Sequence, residues 1–166
     1  MYIIFSATNR AGSNTLKVAK QIETLFIAAG ITPFFYSLEA YTDTQKGHLI
    51  QQLENDALTA ATKIIIVAPE YNGSYPGILK LLIDHCDVKT SWWHKKVMLV
   101  GVAAGRQGNA RGLDHLTNML NYLKVNVLPN KFPISGINAL LNADDTFNHA
   151  DTIATLNTQV NEFINF

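Results

Sequence analysis

The chain has 166 residues, of which 48% are apolar and 16% charged, and its 13 Lys and Arg cancel its 13 Asp and Glu. A length near the usual ~150 residues per domain leaves room for one well-formed core and excludes a multi-domain arrangement. A net charge near zero argues against a nucleic-acid groove or an acidic tail and favours association between copies, so a homodimer or homotetramer is the expectation.

The lone Cys86 rules out an intrachain disulfide and a multi-cysteine metal site. His48, His85, His94, His115 and His149 are scattered without the close spacing that puts two ligands on one helical face, so no metal is expected. The chain enters Ile3-Ile4-Phe5 without a basic leader, and no apolar stretch approaches the ~18 residues of a membrane span. A soluble, cytoplasmic protein is the expectation.

In chain order, Tyr2 to Phe5 form a short apolar run without two-residue alternation, the pattern of a strand covered on both faces of a parallel sheet. Leu16, Ala19, Ile22, Phe26 and Ala29 follow at helical spacing, and Gly30 ends that helix. Pro33 to Leu38 supply a second strand, with Pro33 at its margin as on a sheet edge. Leu49, Leu53 and Leu58 mark a second helix, Ile64 to Val67 a third strand, Ile78 to Leu82 the start of another helix, and Val97 to Val102 a fourth strand. Val125 to Leu128, bounded by Pro129, give a fifth strand near an edge. Pro129 to Ala150 lack clear periodicity and read as an irregular excursion. A last helix runs from about Asp151, striped by Ile153, Leu156, Val160, Phe163 and Ile164.

Strand and helix alternate about five times, which means parallel strands joined by right-handed crossovers in a three-layer, doubly wound α/β domain. In such sheets ligands sit beyond the carboxyl ends of the strands where the winding reverses, so the loops after strands one, three and four are the candidate site. Those loops, Ser6 to Thr15, Pro69 to Gly77 and Ala103 to Gly112, concentrate Gly, Asn, Ser and Thr.

Thr8, Arg10, Ser13, Asn14 and Thr15 lie at the head of the first helix, where unpaired N–H groups and the helix dipole favour an anion and Arg10 adds a cation. Ser13 or Asn14 alone would serve equally as an ordinary cap. The density of hydroxyls, with an arginine and a glycine directly after a central strand, favours the anion. The chain has neither Gly-x-x-x-x-Gly-Lys-Ser/Thr nor Gly-x-Gly-x-x-Gly here, which points to a terminal phosphate such as that of FMN. Pro69, Glu70, Tyr71, Asn72, Gly73 and Ser74 make a stiff backbone path that can present N–H and C=O groups to the edge of a flat heterocycle. Tyr71 and Tyr75 would suit a subunit interface equally well, and Glu70 would suit a bond to nearby backbone. In the third loop Gly105 and Gly108 leave space, and Arg106 is open to three readings: charge on a reduced flavin ring, the phosphate of a nicotinamide nucleotide, or solvent.

These loops, in this order, resemble the NADPH-dependent FMN reductase family, a flavodoxin-like group that includes quinone, azo-dye and chromate reductases. The family pattern Gly-Ser-x-Arg-x-Gly-Ser-Asn-Ser/Thr is met by Ala7 to Thr15, with Ala7 in place of Gly and Thr8 in place of the first Ser. The pattern Pro-Glu-Tyr-Asn-x-Ser-x-Pro-Gly-x-Leu-Lys is met in full by Pro69 to Lys80. Asp84 falls where the family commonly has Asp, and Leu81-Leu82 replace a common Asn-Ala. The resemblance implies a five-stranded parallel sheet of order 2-1-3-4-5, FMN as cofactor, and NADPH or NADH as co-substrate. It further implies a small acceptor such as a quinone, free flavin or azo compound. By the same resemblance Thr8, Arg10, Ser13, Asn14 and Thr15 would hold the FMN phosphate, Pro69 to Ser74 would line the isoalloxazine, and Gly105, Arg106 and Gly108 would form a third flavin loop. A non-enzymatic flavin electron carrier and an FMN-binding scaffold are the alternatives, although carriers of the flavodoxin type are usually strongly acidic. A tyrosine phosphatase on this fold would need Cys-x5-Arg, and Trp92 stands six residues after Cys86.

Overall fold

The structure, a computed structural model, describes residues 1–42 and 44–166. Its strands β1 (Tyr2–Ser6), β2 (Phe34–Ser37), β3 (Lys63–Pro69), β4 (Lys96–Val102), β5 (Asn126–Val127) and β6 (Phe132–Ile134) form one sheet of order β2-β1-β3-β4-β5, with β6 also on β4. All pairs are parallel, and the register sets Ile4 beside Ile65 and Ile65 beside Met98. The winding reverses between β1 and β3, as in flavodoxin-like sheets.

The apolar runs without alternation are explained by burial on both faces. Ile3, Phe5, Ile64, Ile66, Val97 and Leu99 point into one core. Helices α2 (His48–Leu53), α3 (Gly77–His85) and α5 (Ala110–Tyr122) cover it with Ile50, Leu53, Leu79, Leu82, Leu113 and Leu116. The residues between them, Ile4, Ile65, Val67, Met98 and Val100, point into a second core, closed by α1 (Asn14–Ala28) and α6 (Ala150–Asn165). Each such side chain contributes about 1.5–3 kcal/mol by leaving water. Among the described residues no helix is long and apolar enough to cross a membrane.

Two elements differ from the sequence expectation. The fifth lane is split: β5 pairs Lys96 and Val97 with Asn126 and Val127, and β6, inside the stretch read as irregular, resumes on Val100 to Val102. Pro129 lies in the break and has no N–H to offer the ladder. The carboxamide of Gln159 on α6 bridges the gap instead, donating to Leu99 O at 3.1 Å and Asn130 O at 2.8 Å. The second helix ends at Leu53 and continues as a wide turn, Glu54–Leu58, closed by Thr59 N–H on Glu54 O at 3.0 Å. The change in spacing from Leu49–Leu53 to Leu53–Leu58 matches that five-residue ring. Lys95 donates to the carbonyls of Leu58 and Ala61 beneath it, and burial holds its ammonium below the usual lysine range. A short helix α4 (Val88–Ser91) precedes Trp92, which is fully buried in the first core.

Two predictions follow from this packing. A methyl group at Gly101 would sit 2.1 Å from the Gly108 carbonyl oxygen, whereas one at Gly105 meets nothing within 4 Å. Gly101→Ala should therefore cost about 2–4 kcal/mol in urea unfolding, and Gly105→Ala less than about 0.5 kcal/mol. Burial pushes the Cys86 thiol from 9.0 up to about 12. The unfolded chain ionises first, so stability contributed by the neutral thiol is intact below pH 9.0 and falls as pH rises toward 12. Cys86→Ala should flatten that alkaline decline in pH-dependent unfolding curves; an unchanged slope would contradict it.

Candidate functional site

Three loops leave the carboxyl ends of β1, β3 and β4 side by side. In the first, Thr8 is fully buried. Its Oγ1 lies 2.6 Å from Tyr71 Oη and accepts the Arg10 N–H at 3.3 Å. The Arg10 guanidinium stacks over the Tyr71 ring, 4.1 Å from its centroid, an attraction worth about 0.5–1 kcal/mol at an exposed site. The first loop is thus fastened to the second. Ser13 caps α1, its Oγ accepting the Leu16 N–H at 3.1 Å. The N–H groups of Asn14 and Thr15 precede the first intrahelical acceptor and remain at the positive end of the helix. The Asn14 side chain donates to Asn138 Oδ1 at 2.7 Å, and the Gly12 N–H donates to Glu39 Oε1 at 3.1 Å.

The second loop owes its stiffness to a tight turn. Tyr71 and Ser74 exchange N–H···O bonds of 2.8 and 3.1 Å around Asn72 and Gly73, whose φ values are 53° and 74°. Asn-Gly is the pair best suited to two successive left-handed residues. The Glu70 N–H extends the β3–β4 pairing onto Val102 O at 3.0 Å. Ser74 Oγ lies 2.9 Å from Nδ1 of His115 on α5.

Asn109 anchors the third loop. Fully buried, it donates from Nδ2 to Ala68 O and Pro69 O, both at 3.0 Å, and from its own N–H to Glu70 Oε2 at 3.2 Å. Glu70 therefore has the backbone-bonding place open to it in the sequence. Gly108 backs onto β6: with φ +57°, a methyl group there would lie 2.5 Å from the Pro133 carbonyl carbon.

Two adjoining cavities open among these loops, of about 300 and 420 Å³, within the size range of ligand sites. Arg10, Ser13, Asn14, Thr15, Pro69 and Tyr71 line the first, and Asn72, Gly73, Gly105 and Arg106 line the second. Glu70, Ala103 and Ala104 border both. Of the residues singled out in the sequence, Thr8 lies buried on Tyr71, Ser74 turns toward His115, and Gly108 packs on Pro133, so these three support the cavities without lining them. The sequence reading missed Asn109, Glu39 and Ile137, the last of which lines the first cavity from the supposedly irregular stretch. Among the described residues no three His, Cys, Asp or Glu side chains come together as a metal cluster.

Asn109→Ala would remove the Nδ2 bonds to the Ala68 and Pro69 carbonyls and take from Pro69 O the partner it has beyond the end of the β3–β4 ladder. We predict a loss of about 1–3 kcal/mol in urea unfolding, since a buried polar group without a partner costs that much.

An NADPH azoreductase of Bacillus sp. (strain OY1-2) is 25% identical over 141 residues, covering 81% of this chain and 76% of that protein. An FMN-dependent NADH:quinone oxidoreductase of Mycoplasma pneumoniae is 36% identical over 74 residues, covering 42% of this chain and 38% of that protein. The match therefore spans well under half the length of the second relative. Among solved structures, the flavoenzyme NAD(P)H:(acceptor) oxidoreductase FerB from Paracoccus denitrificans superposes with a TM-score of 0.77 at 21% identity, over 99% of this chain and 94% of that one, and so shares the fold. The model of the NADPH-dependent FMN reductase family matches residues 2–139, and the chain belongs to that family of FMN-using, nicotinamide-dependent oxidoreductases.

Proposed function

We propose that this chain holds FMN across the two adjoining cavities and passes electrons from NADPH or NADH to a small oxidised acceptor of the quinone, azo or free-flavin class. The observation that carries this is the shared wall. Glu70, Ala103 and Ala104 border both cavities, so one elongated ligand can reach from a helix N-terminus to the Asn72–Gly73 turn.

The donor set fits FMN. At one end, Ser13, the N–H groups opening α1 and the Arg10 guanidinium supply hydrogen bonds and positive charge for a phosphate monoester. Tyr71 holds Arg10 there by stacking, and the buried Thr8 hydroxyl holds Tyr71 in turn. At the other end the backbone of Pro69 to Gly73 is fixed before any ligand arrives, which lowers the ordering cost of orienting a flat ring. Ala103 and Ala104 keep the shared wall low. FMN, when bound, supplies the electron-transfer chemistry. The protein's part is to bind, orient and leave one side open, and no nucleophile or general base is required of it. The azo and quinone acceptor classes are supported by what the Bacillus and Mycoplasma relatives are named for.

The test is spectroscopic. Protein titrated with FMN should saturate, NADPH or NADH should bleach the visible flavin band, and an added quinone should restore it. Failure to bind FMN would contradict the proposal, and bound FMN that neither nicotinamide bleaches would favour the electron-carrier alternative. Arg10→Ala should weaken FMN binding about tenfold, as expected for one charge-assisted hydrogen bond, and riboflavin binding less than about twofold. Equal losses would refute its phosphate role.

The neutral surface and the exposure of Ile27 (52%), Tyr122 (86%) and Ile153 (37%) support assembly of copies into a dimer or tetramer. Sedimentation velocity should show that species, and a monomer at micromolar concentration would contradict it.

A further inference from the structure

The end of the first cavity that suits a phosphate already has a carboxylate standing against it. Arg10, Ala11, Ser13, Asn14 and Thr15 line that end. Gly12, in the middle of the run, has φ +61° and donates its N–H to Glu39 Oε1 at 3.1 Å. Glu39 arrives from the neighbouring strand. Ser6 and Ser37 are partners at the ends of β1 and β2, so the two strands deliver the first loop and the short turn Leu38–Ala40 to the same corner. The Ser37 hydroxyl fixes that turn by accepting the Glu39 N–H at 3.3 Å.

This half-buried carboxylate differs from an ordinary surface acid. Among the described residues no lysine or arginine lies within ion-pair distance of it. Arg10, two residues from Gly12, stacks on Tyr71 instead, and Lys17, in the first turn of α1, is taken by Asp145 at 2.7 Å. Glu70, the other acid at this cavity, accepts the Asn109 N–H. The Glu39 charge is thus directed at a backbone N–H beside the positive end of α1, where the rest of the loop would receive an anion.

A fixed carboxylate beside an anion site acts in two opposing ways. Its hydrogen bond holds the loop in shape, and its charge repels an incoming anion. The loop is already held by Thr8 on Tyr71 and by Ser13 on the Leu16 N–H, so little ordering is left for Glu39 to supply and the repulsion is the larger effect. Resting on the function proposed above, we propose that Glu39 competes with the phosphate: it holds the empty loop as a substitute anion, speeds release of FMN and narrows the preference for FMN over riboflavin. Riboflavin has no phosphate to meet that charge, so the ratio of the two affinities isolates the effect.

The test is calorimetric titration of the wild type, Glu39→Gln and Glu23→Gln with FMN, riboflavin and inorganic phosphate in turn. Glutamine keeps an oxygen for the Gly12 N–H and removes only the charge. Glu39→Gln should bind FMN about three- to tenfold more tightly, with the gain in a slower off-rate, and inorganic phosphate should gain by a similar factor. Riboflavin affinity should stay within about twofold, which also checks that the ring end is intact. Glu23→Gln removes one negative charge further along α1, where Glu23 pairs with Lys20, and should change FMN affinity less than about twofold. Unchanged or weaker FMN binding by Glu39→Gln, equal gains for FMN and riboflavin, or the same gain in Glu23→Gln would overturn the role of Glu39 and leave the cofactor proposal standing. If neither protein bound FMN while Glu39→Gln still gained affinity for inorganic phosphate, the cofactor proposal would fall and the competing carboxylate would stand.

Discussion

The candidate site depends on one buried carboxamide. Asn109 sits where the third loop becomes α5, and its Nδ2 bonds to the last carbonyls of β3, Ala68 and Pro69. Its backbone is left-handed, with φ 69°, a conformation that asparagine tolerates better than most residues. Its Oδ1 is buried without a partner, a cost that persists because the surroundings over-determine the position. Gly101 and Gly112 leave the room it fills: methyl groups there would meet Asn109 Cβ at 3.1 Å and Oδ1 at 2.0 Å. The sheet topology brings the loops to one rim, and Asn109 fixes the distance between two of them.

Charge is distributed with the same economy. The chain is neutral, with 16% charged residues, and most of its lysines are neutralised in ion pairs or spent on helix C-terminal carbonyls. Lys89 and Lys124 lie over the Trp93 ring, and among the described residues no arginine has an ion-pair partner; Arg10 and Arg111 stand beside the N-terminal ends of α1 and α5. Positive charge there opposes the helix dipole, so it stabilises the protein only when an anion joins it. Arg10 is partly accommodated in its absence by the Tyr71 ring, and the Gly12 N–H is occupied by the Glu39 carboxylate.

Much of the fold was legible because parallel strands buried on both faces leave continuous apolar runs: Ile64 to Val67 and Val97 to Val102 could be little else. The motif from Pro69 to Lys80 was legible through its full match to the family pattern, whereas the two successive left-handed residues that shape it, Asn72 and Gly73, came with the structure. The split fifth lane was hidden, since the group that bridges it, Gln159 of α6, lies twenty-five residues beyond the end of β6 along the chain. Asn109 was equally hidden: its partners lie 40 and 41 residues away, and nothing in its local sequence distinguishes it from an ordinary loop asparagine. Thr8 and Gly108 were legible as important but not in their roles. Hydroxyls and glycines serve a ligand or a neighbouring loop with the same chemistry, and only the tertiary structure turns Thr8 onto Tyr71 and Gly108 onto Pro133.

That three loops grip a single ligand is tested most directly by amide chemical-shift mapping of the isotope-labelled protein during FMN titration. The backbone amides of Thr15, Gly73 and Gly105, one from each loop, should shift with a common midpoint at one equivalent of FMN. Shifts confined to one loop, or separate midpoints for the three, would contradict a shared site.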